Sequence, residues 1–168
     1  MSVTWPALLA SGCVIAGIMV LLLAAAHDVV ARTVPNGLAM TLAAIGVGLR
    51  ALSGGLGLGL LIGALVFCLA AFCWRRGWMG GGDAKLLAAT AILVPPALAL
   101  SFVTAVAMSG GLLAVCYLLA RRLVAPPAAQ RPRGLFARAL RVERWRIRRG
   151  GPLPYACAIA AGGLLVLL

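Results

Sequence analysis

The chain has 168 residues, 64% of them hydrophobic and 11% charged, with a mean hydropathy of +1.10, which places it far outside the range of water-soluble domains and marks an integral membrane protein. A formal charge of +12 and a pI near 11.5 would suit a nucleic-acid binder, but here the arginines lie between apolar runs with no soluble core to carry a basic surface, so no nucleic-acid partner is expected. Cys13, Cys68, Cys73, Cys116 and Cys157 sit in apolar stretches without C-x-x-C spacing, so neither a disulfide framework nor a metal site is implied, and no cofactor.

About 20 apolar residues cross the roughly 30 Å hydrocarbon core, and the sequence offers six such runs. The first, about 5–27, carries no charge until its end and lacks the positive leading region of a cleaved signal peptide, so it reads as a retained helix. Pro35-Asn36 marks a turn and helix start, and the second span covers 37–52. Ser53-Gly54-Gly55 makes a turn into the third, 56–74, where Gly55, Gly59 and Gly63 form a small-residue seam for close helix packing. The fourth, 84–94, is short and stops at Pro95-Pro96, so it must tilt, kink or lie shielded inside a bundle. The fifth covers 97–120; a basic loop, 121–151, leads to the sixth, 153–168. The expected fold is a single all-α domain over 1–168, a bundle of six transmembrane helices.

The distribution of cations orients that bundle. Arg32, Arg75, Arg76, Lys85 and ten arginines from Arg121 to Arg149 fall on one side, and only Arg50 on the other. The basic side faces the cytoplasm by the positive-inside rule, with both termini outside. Within the loop, Leu135, Phe136, Ala139, Leu140, Val142 and Ile147 gather on one helical face with most arginines opposite. That pattern suits a helix lying on anionic lipid headgroups, each basic residue adding about 1 kcal/mol; a solvated positive-inside loop and a dock for an acidic partner are the alternatives.

The acids are Asp28, Asp83 and Glu143, the last submerged among the arginines of the loop. Asp28 closes span one and Asp83 opens span four, so the topology sets both at the cytoplasmic edge and at similar depth. Two carboxylates there can share a proton and a water: one draws a proton from water as it attacks a peptide carbonyl, while its protonated partner donates to the carbonyl oxygen. Gly80-Gly81-Gly82 ahead of Asp83 would let an extended strand approach the backbone. Each element also has a plainer reading, with Asp83 as a helix N-cap, Asp28 paired to Arg32 at i+4, and His27 an interfacial ring. Two further readings of the whole chain are a proton- or cation-coupled transporter, with the prolines as its broken helix, and a non-enzymatic assembly subunit.

Three stretches resemble one family. His27-Asp28-Val29-Val30-Ala31-Arg32-Thr33-Val34-Pro35-Asn36 is similar to the first catalytic segment of the type IV prepilin peptidases, Gly80-Gly81-Gly82-Asp83-Ala84-Lys85-Leu86 to their Gly-x-Gly-Asp-x-Lys motif, and Leu153-Pro154-Tyr155-Ala156 to the Pro-Tyr element that opens their last helix. The resemblance implies a GxGD membrane aspartic protease of the bacterial inner membrane with Asp28 and Asp83 catalytic and Gly80, Gly81, Gly82, Lys85, Arg32, Pro35 and Asn36 in supporting motifs. It implies as substrate a pilin precursor with a basic leader and a hydrophobic helix, cut on the cytoplasmic side. Paired C-x-x-C motifs of the longer, methylating members are absent from this sequence, which looks like the short form that serves tight-adherence (Flp) pili. Helix polarity adds one expectation: Asp83 at a helix N-terminus starts ionised, and Asp28 at a helix C-terminus starts protonated.

Overall fold

A computed structural model describes residues 5–124, 134–151 and 153–168, with 135–139 described by backbone alone. The helices are α1 (Trp5–Ala31), α2 (Asn36–Leu52), α3 (Leu56–Arg75), α4 (Gly81–Leu93), α5 (Ala99–Leu123, entered through a 3-10 turn at Pro96–Leu98), α6 (Leu135–Arg149) and α7 (Tyr155–Leu167). Among the described residues there is no strand. Three helical stretches, Trp5–Ala31, Leu56–Arg75 and Pro96–Leu123, are long and apolar enough to cross a membrane; α2 and α7 are shorter apolar helices.

The packing is that of a protein dissolved in lipid. The interior is built largely from alanine and glycine, whereas Leu61, Leu65, Leu69 and Phe72 along α3 and Leu100, Met108, Leu112 and Leu119 along α5 point outward. Large apolar side chains on the outside and small ones within allow backbones to approach where no water drives association. Trp74 and Trp78 are exposed at the basic end of α3, and Arg76 stacks on the Phe72 ring at 5.0 Å.

Helix α4 occupies the middle, packed against α2, α3 and α7. Its buried residues, Ala84, Leu86, Ala88, Ala89, Thr90, Ala91 and Leu93, surround the axis. With 13 residues it is about 20 Å long at 1.5 Å per residue, too short for the roughly 30 Å hydrocarbon core, and protein covers most of it, with Lys85 exposed. The packing shows the partial shielding inside the bundle that is one of the three possibilities for this short segment. Val94, ahead of Pro95, is extended (φ −68, ψ 139), as a residue before proline prefers. The break frees the Leu93 carbonyl, which accepts a hydrogen bond from Arg50 Nη2 at 3.2 Å. Arg50 is buried there, with its aliphatic stem laid over Gly59, where a Cβ would stand 2.8 Å from Cγ. Gly63 accommodates Ile92 in the same way. The glycine seam of α3 thus seats the outlying cation and the end of α4.

Two boundaries differ from the sequence expectation, and both matter for the site. Helix α1 continues to Ala31, so Asp28 lies inside its last turn. Helix α4 starts at Gly81, so Asp83 is its third residue and Gly80 its N-cap. Apolar periodicity sees neither, because Asp28 breaks the first apolar run and the glycines precede the second. The basic loop contains a helix, as its amphipathic pattern requires; Leu135, Phe136 and Ala139 of that pattern lie outside the residues whose side chains are described.

Candidate active site

The two aspartates come together where α1 ends and α4 begins, close enough for Asp28 to act electrostatically on Asp83. Each carboxylate lies against the N-terminus of a helix, where the first N–H groups have no partner within the helix. Asp83 folds back toward its own N-cap, with its Oδ2 packed beside Gly80. The third helical residue thus turns toward the N-cap, the direction taken in the returning half of a capping box. Asp28, 5% exposed, accepts the Ala156 N–H at 3.3 Å from the second residue of α7. Pro154 precedes that helix and supplies no competing donor. Tyr155 stands near Asp83, its ring seated on Gly110 of α5, where a Cβ would lie 3.0 Å from Cε2.

The Ala156 amide changes the polarity argument. Asp28 does lie at the C-terminal end of α1, but the N-terminus of α7 points at it, so the contrast between the two carboxylates expected from helix ends is not present.

The three glycines have separate uses. A Cβ on Gly80 would stand 2.7 Å from Asp83 Oδ2, one on Gly81 would stand 3.2 Å from Trp74 Nε1, and one on Gly82 would stand 3.0 Å from Val34 Cβ and 3.2 Å from its carbonyl oxygen. The close approach expected for a substrate strand is made here by the protein's own groups. Gly82 in particular brings the start of α4 against the 33–36 connection. Lys85 reinforces that junction, its Nζ donating to Asn36 Oδ1 at 2.8 Å at the first residue of α2, behind Pro35 as N-cap. On the same side of α4, Asn36 and Lys85 end a groove of about 540 Å3 that continues past Met40, Leu60, Phe67 and Ile92.

The hydrogen bond between Arg32 and Asp28 runs through the backbone, while the guanidinium turns to α5 and α6. Arg32 takes a left-handed conformation (φ 56), and its N–H closes on the Asp28 carbonyl at 2.8 Å, an αL cap with arginine where glycine is usual. That conformation costs a residue with a Cβ about 1–2 kcal/mol. The Arg32 guanidinium bonds to Glu143 of α6 and to the Tyr117 hydroxyl of α5 at 3.2 Å. Tyr117 donates to the same Glu143 carboxylate. Arg146, one turn on from Glu143, donates to the carbonyls of Val29 at 3.0 Å and Val30 at 3.3 Å. His27 hydrogen-bonds through Nδ1 to the Thr33 carbonyl at 2.7 Å, a structural role.

Burial pushes the Glu143 carboxyl up, but hydrogen bonds from Tyr117, Arg32 and Arg146 outweigh it and hold the group below the ordinary carboxylate range. The sequence reading left Glu143 submerged among arginines. One signal was available: at 100° per residue Glu143 and Arg146 fall among Leu135, Ala139, Phe136 and Ile147, on the apolar face and away from most arginines. Among the described residues no three His, Cys, Asp or Glu side chains cluster as metal ligands would.

An all-helical apolar chain that brings two separated aspartates to one end of its helices defines a membrane protein with a carboxylate pair. A family model fits 15–115, a stretch that includes both aspartates and the glycine triplet, and the chain belongs to the type IV leader peptidase family. Membership makes it a peptidase of the membrane. Comparisons with curated proteins and with solved structures return no significant match.

Proposed function

We propose that the protein is an aspartic endopeptidase that removes the basic leader from type IV prepilins of the Flp kind. In this reading it lies in the bacterial inner membrane as a six-span bundle with both termini outside, and cuts at the cytoplasmic face. The observation that carries it is the convergence of Asp28 and Asp83, each set against a helix N-terminus and left within electrostatic reach of the other. One carboxylate takes a proton from the attacking water as its oxygen bonds to the scissile carbonyl carbon. The other carboxyl gives its proton to the carbonyl oxygen. Collapse of the tetrahedral intermediate breaks the C–N bond, with a proton delivered to the leaving amine. The arginines of 121–151 hold the cytoplasmic side against anionic lipid, and the new N-terminus is released without methylation.

Co-expression with a prepilin precursor tests the assignment. Wild type converts the precursor to a faster-migrating form whose mass carries no added methyl group. Asp28→Asn and Asp83→Asn each abolish conversion at unchanged membrane levels. Cleavage retained in either variant would remove the aspartic mechanism.

A further inference from the structure

The last turn of α1 has little apolar packing to hold it. Val29 and Val30, the residues that follow Asp28, expose 38% and 64% of their surface. The carbonyls of this turn have no partners within the helix. Their partner is Arg146, whose two terminal nitrogens reach Val29 and Val30. The residue that ends the turn, Arg32, is held by Glu143 and Tyr117, and Glu143 also braces Arg146 at 3.4 Å. Glu143 and Arg146 lie one helical turn apart on the same face of α6, so a single surface of that helix grips both the end of α1 and the residue beyond it. Tyr117, whose hydroxyl donates to Glu143 and accepts from Arg32, fastens the same grip to α5.

The grip bears on Asp28 through the backbone. The Asp28 carbonyl accepts the Arg32 N–H, so the left-handed turn at Arg32 and the end of α1 form one unit. We propose that Glu143 and Arg146 are positioning residues of the peptidase reaction, acting through Arg32 and the Val29 and Val30 carbonyls to hold Asp28 in register with Asp83. The inference rests on the aspartic-peptidase reading above. It gives the basic loop a task on the protein itself, apart from any contact with lipid.

The test compares Glu143→Gln, Arg146→Met and Arg146→Lys in nanodiscs, using a prepilin precursor that wild type cleaves. Glu143→Gln and Arg146→Met are expected to lower kcat about tenfold, since misplacement of a catalytic group by about 1 Å costs up to about a hundredfold. KM stays within about twofold, and Arg146→Lys recovers part of the loss. Amide hydrogen exchange at Arg32–Val34 is expected to quicken in the first two variants, a readout that needs no substrate. Arg32→Gly accepts the left-handed turn without strain and lacks the guanidinium; adding Glu143→Gln to it is expected to lower kcat no further.

Wild-type kcat with unchanged exchange in both Glu143→Gln and Arg146→Met overturns the proposal. So does a rise in KM at constant kcat, which would make α6 a substrate-binding surface. A loss of membrane level or thermal stability with normal kcat per folded molecule also overturns it. Activity surviving in Asp28→Asn is a different failure, that of the peptidase mechanism, and leaves the exchange result to judge the grip alone.

Discussion

Gly80→Ala is the sharpest probe of the carboxylate pair, because the added methyl would meet the one group on which the mechanism depends. Its Cβ would stand 2.7 Å from Asp83 Oδ2, against 3.4 Å for ordinary contact. The carboxylate must therefore retreat by about 0.7 Å from its place beside the N-cap. Gly80 has φ −69 and ψ 143, which alanine adopts without strain. Replacing an N-cap glycine with alanine costs a few tenths to about 1 kcal/mol, and the smaller entropy of the unfolded chain returns about 0.4–1 kcal/mol. Fold stability should stay nearly level while chemistry suffers. By the sensitivity of catalysis to displacements of about 1 Å, kcat should fall roughly 30- to 100-fold with KM nearly unchanged. Single-turnover cleavage of a prepilin precursor, with thermal unfolding in the same detergent, measures both quantities. A variant that cleaves at the wild-type rate would show that the Asp83 position beside Gly80 is not the working one. A large loss of stability would place the damage in the fold instead.

Glu143 has its pKa depressed below the ordinary 4.5 by Tyr117, Arg32 and Arg146, so its contribution to stability is full above pH 4.5 and is lost as pH falls through the lower folded value. Thermal scans across that acid range should show a decline that Glu143→Gln lacks. Arg50→Ala should destabilise the bundle by about 1–3 kcal/mol, the cost of orphaning the buried Leu93 carbonyl, as followed by thermal unfolding. In Gly162→Ala the new methyl would stand 2.7 Å from Val106 N and 2.9 Å from its Cα. Backbone cannot turn aside, so α7 should move off α5 at a cost of about 1–3 kcal/mol, and cleavage should fall with stability, whereas Gly111→Ala, inside α5 with nothing within 4 Å, should leave cleavage unchanged and raise stability by about 0.5–1 kcal/mol.

What the sequence made legible was local. The apolar runs gave every apolar helix among the described residues to within a few residues, Pro95-Pro96 gave the end of α4, and the amphipathic pattern gave α6. Asp28 and Asp83 stood out because a carboxylate between apolar runs is expensive and rare, and counting spans put both at one end of the helices. The groups that hold them were not legible. The turn at Gly80 and the amide of Ala156 belong to the backbone and have no letter of their own. Tyr117, Glu143 and Arg146 look like an aromatic in a span and two charges in a charged loop until the fold carries them to the end of α1. The glycine triplet was read as space for a substrate, and only the packing shows that Asp83, Trp74 and Val34 use that space.

The two carboxylates are alike in lying against a helix N-terminus each, so helix polarity does not distinguish them. They differ in where that support originates. Asp83 is placed by its own helix: its carboxylate packs beside Gly80, three residues away, and the geometry of a single turn sets it. Asp28 is placed from a distance, by Ala156 at the start of α7, by Arg32 bound to Glu143 and Tyr117, and by Arg146 on the neighbouring carbonyls. A perturbation of Asp83 should therefore come from substitutions within the glycine triplet, which change one turn and little else. Asp28 should respond to changes in α5, α6 and α7, none of which carries either aspartate. In a pair proposed to share one water, the relative position of the two groups is only as well fixed as the less local of the two. The packing of α7 and the grip of α6 are then as much a part of the proposed active site as the residues around Asp83.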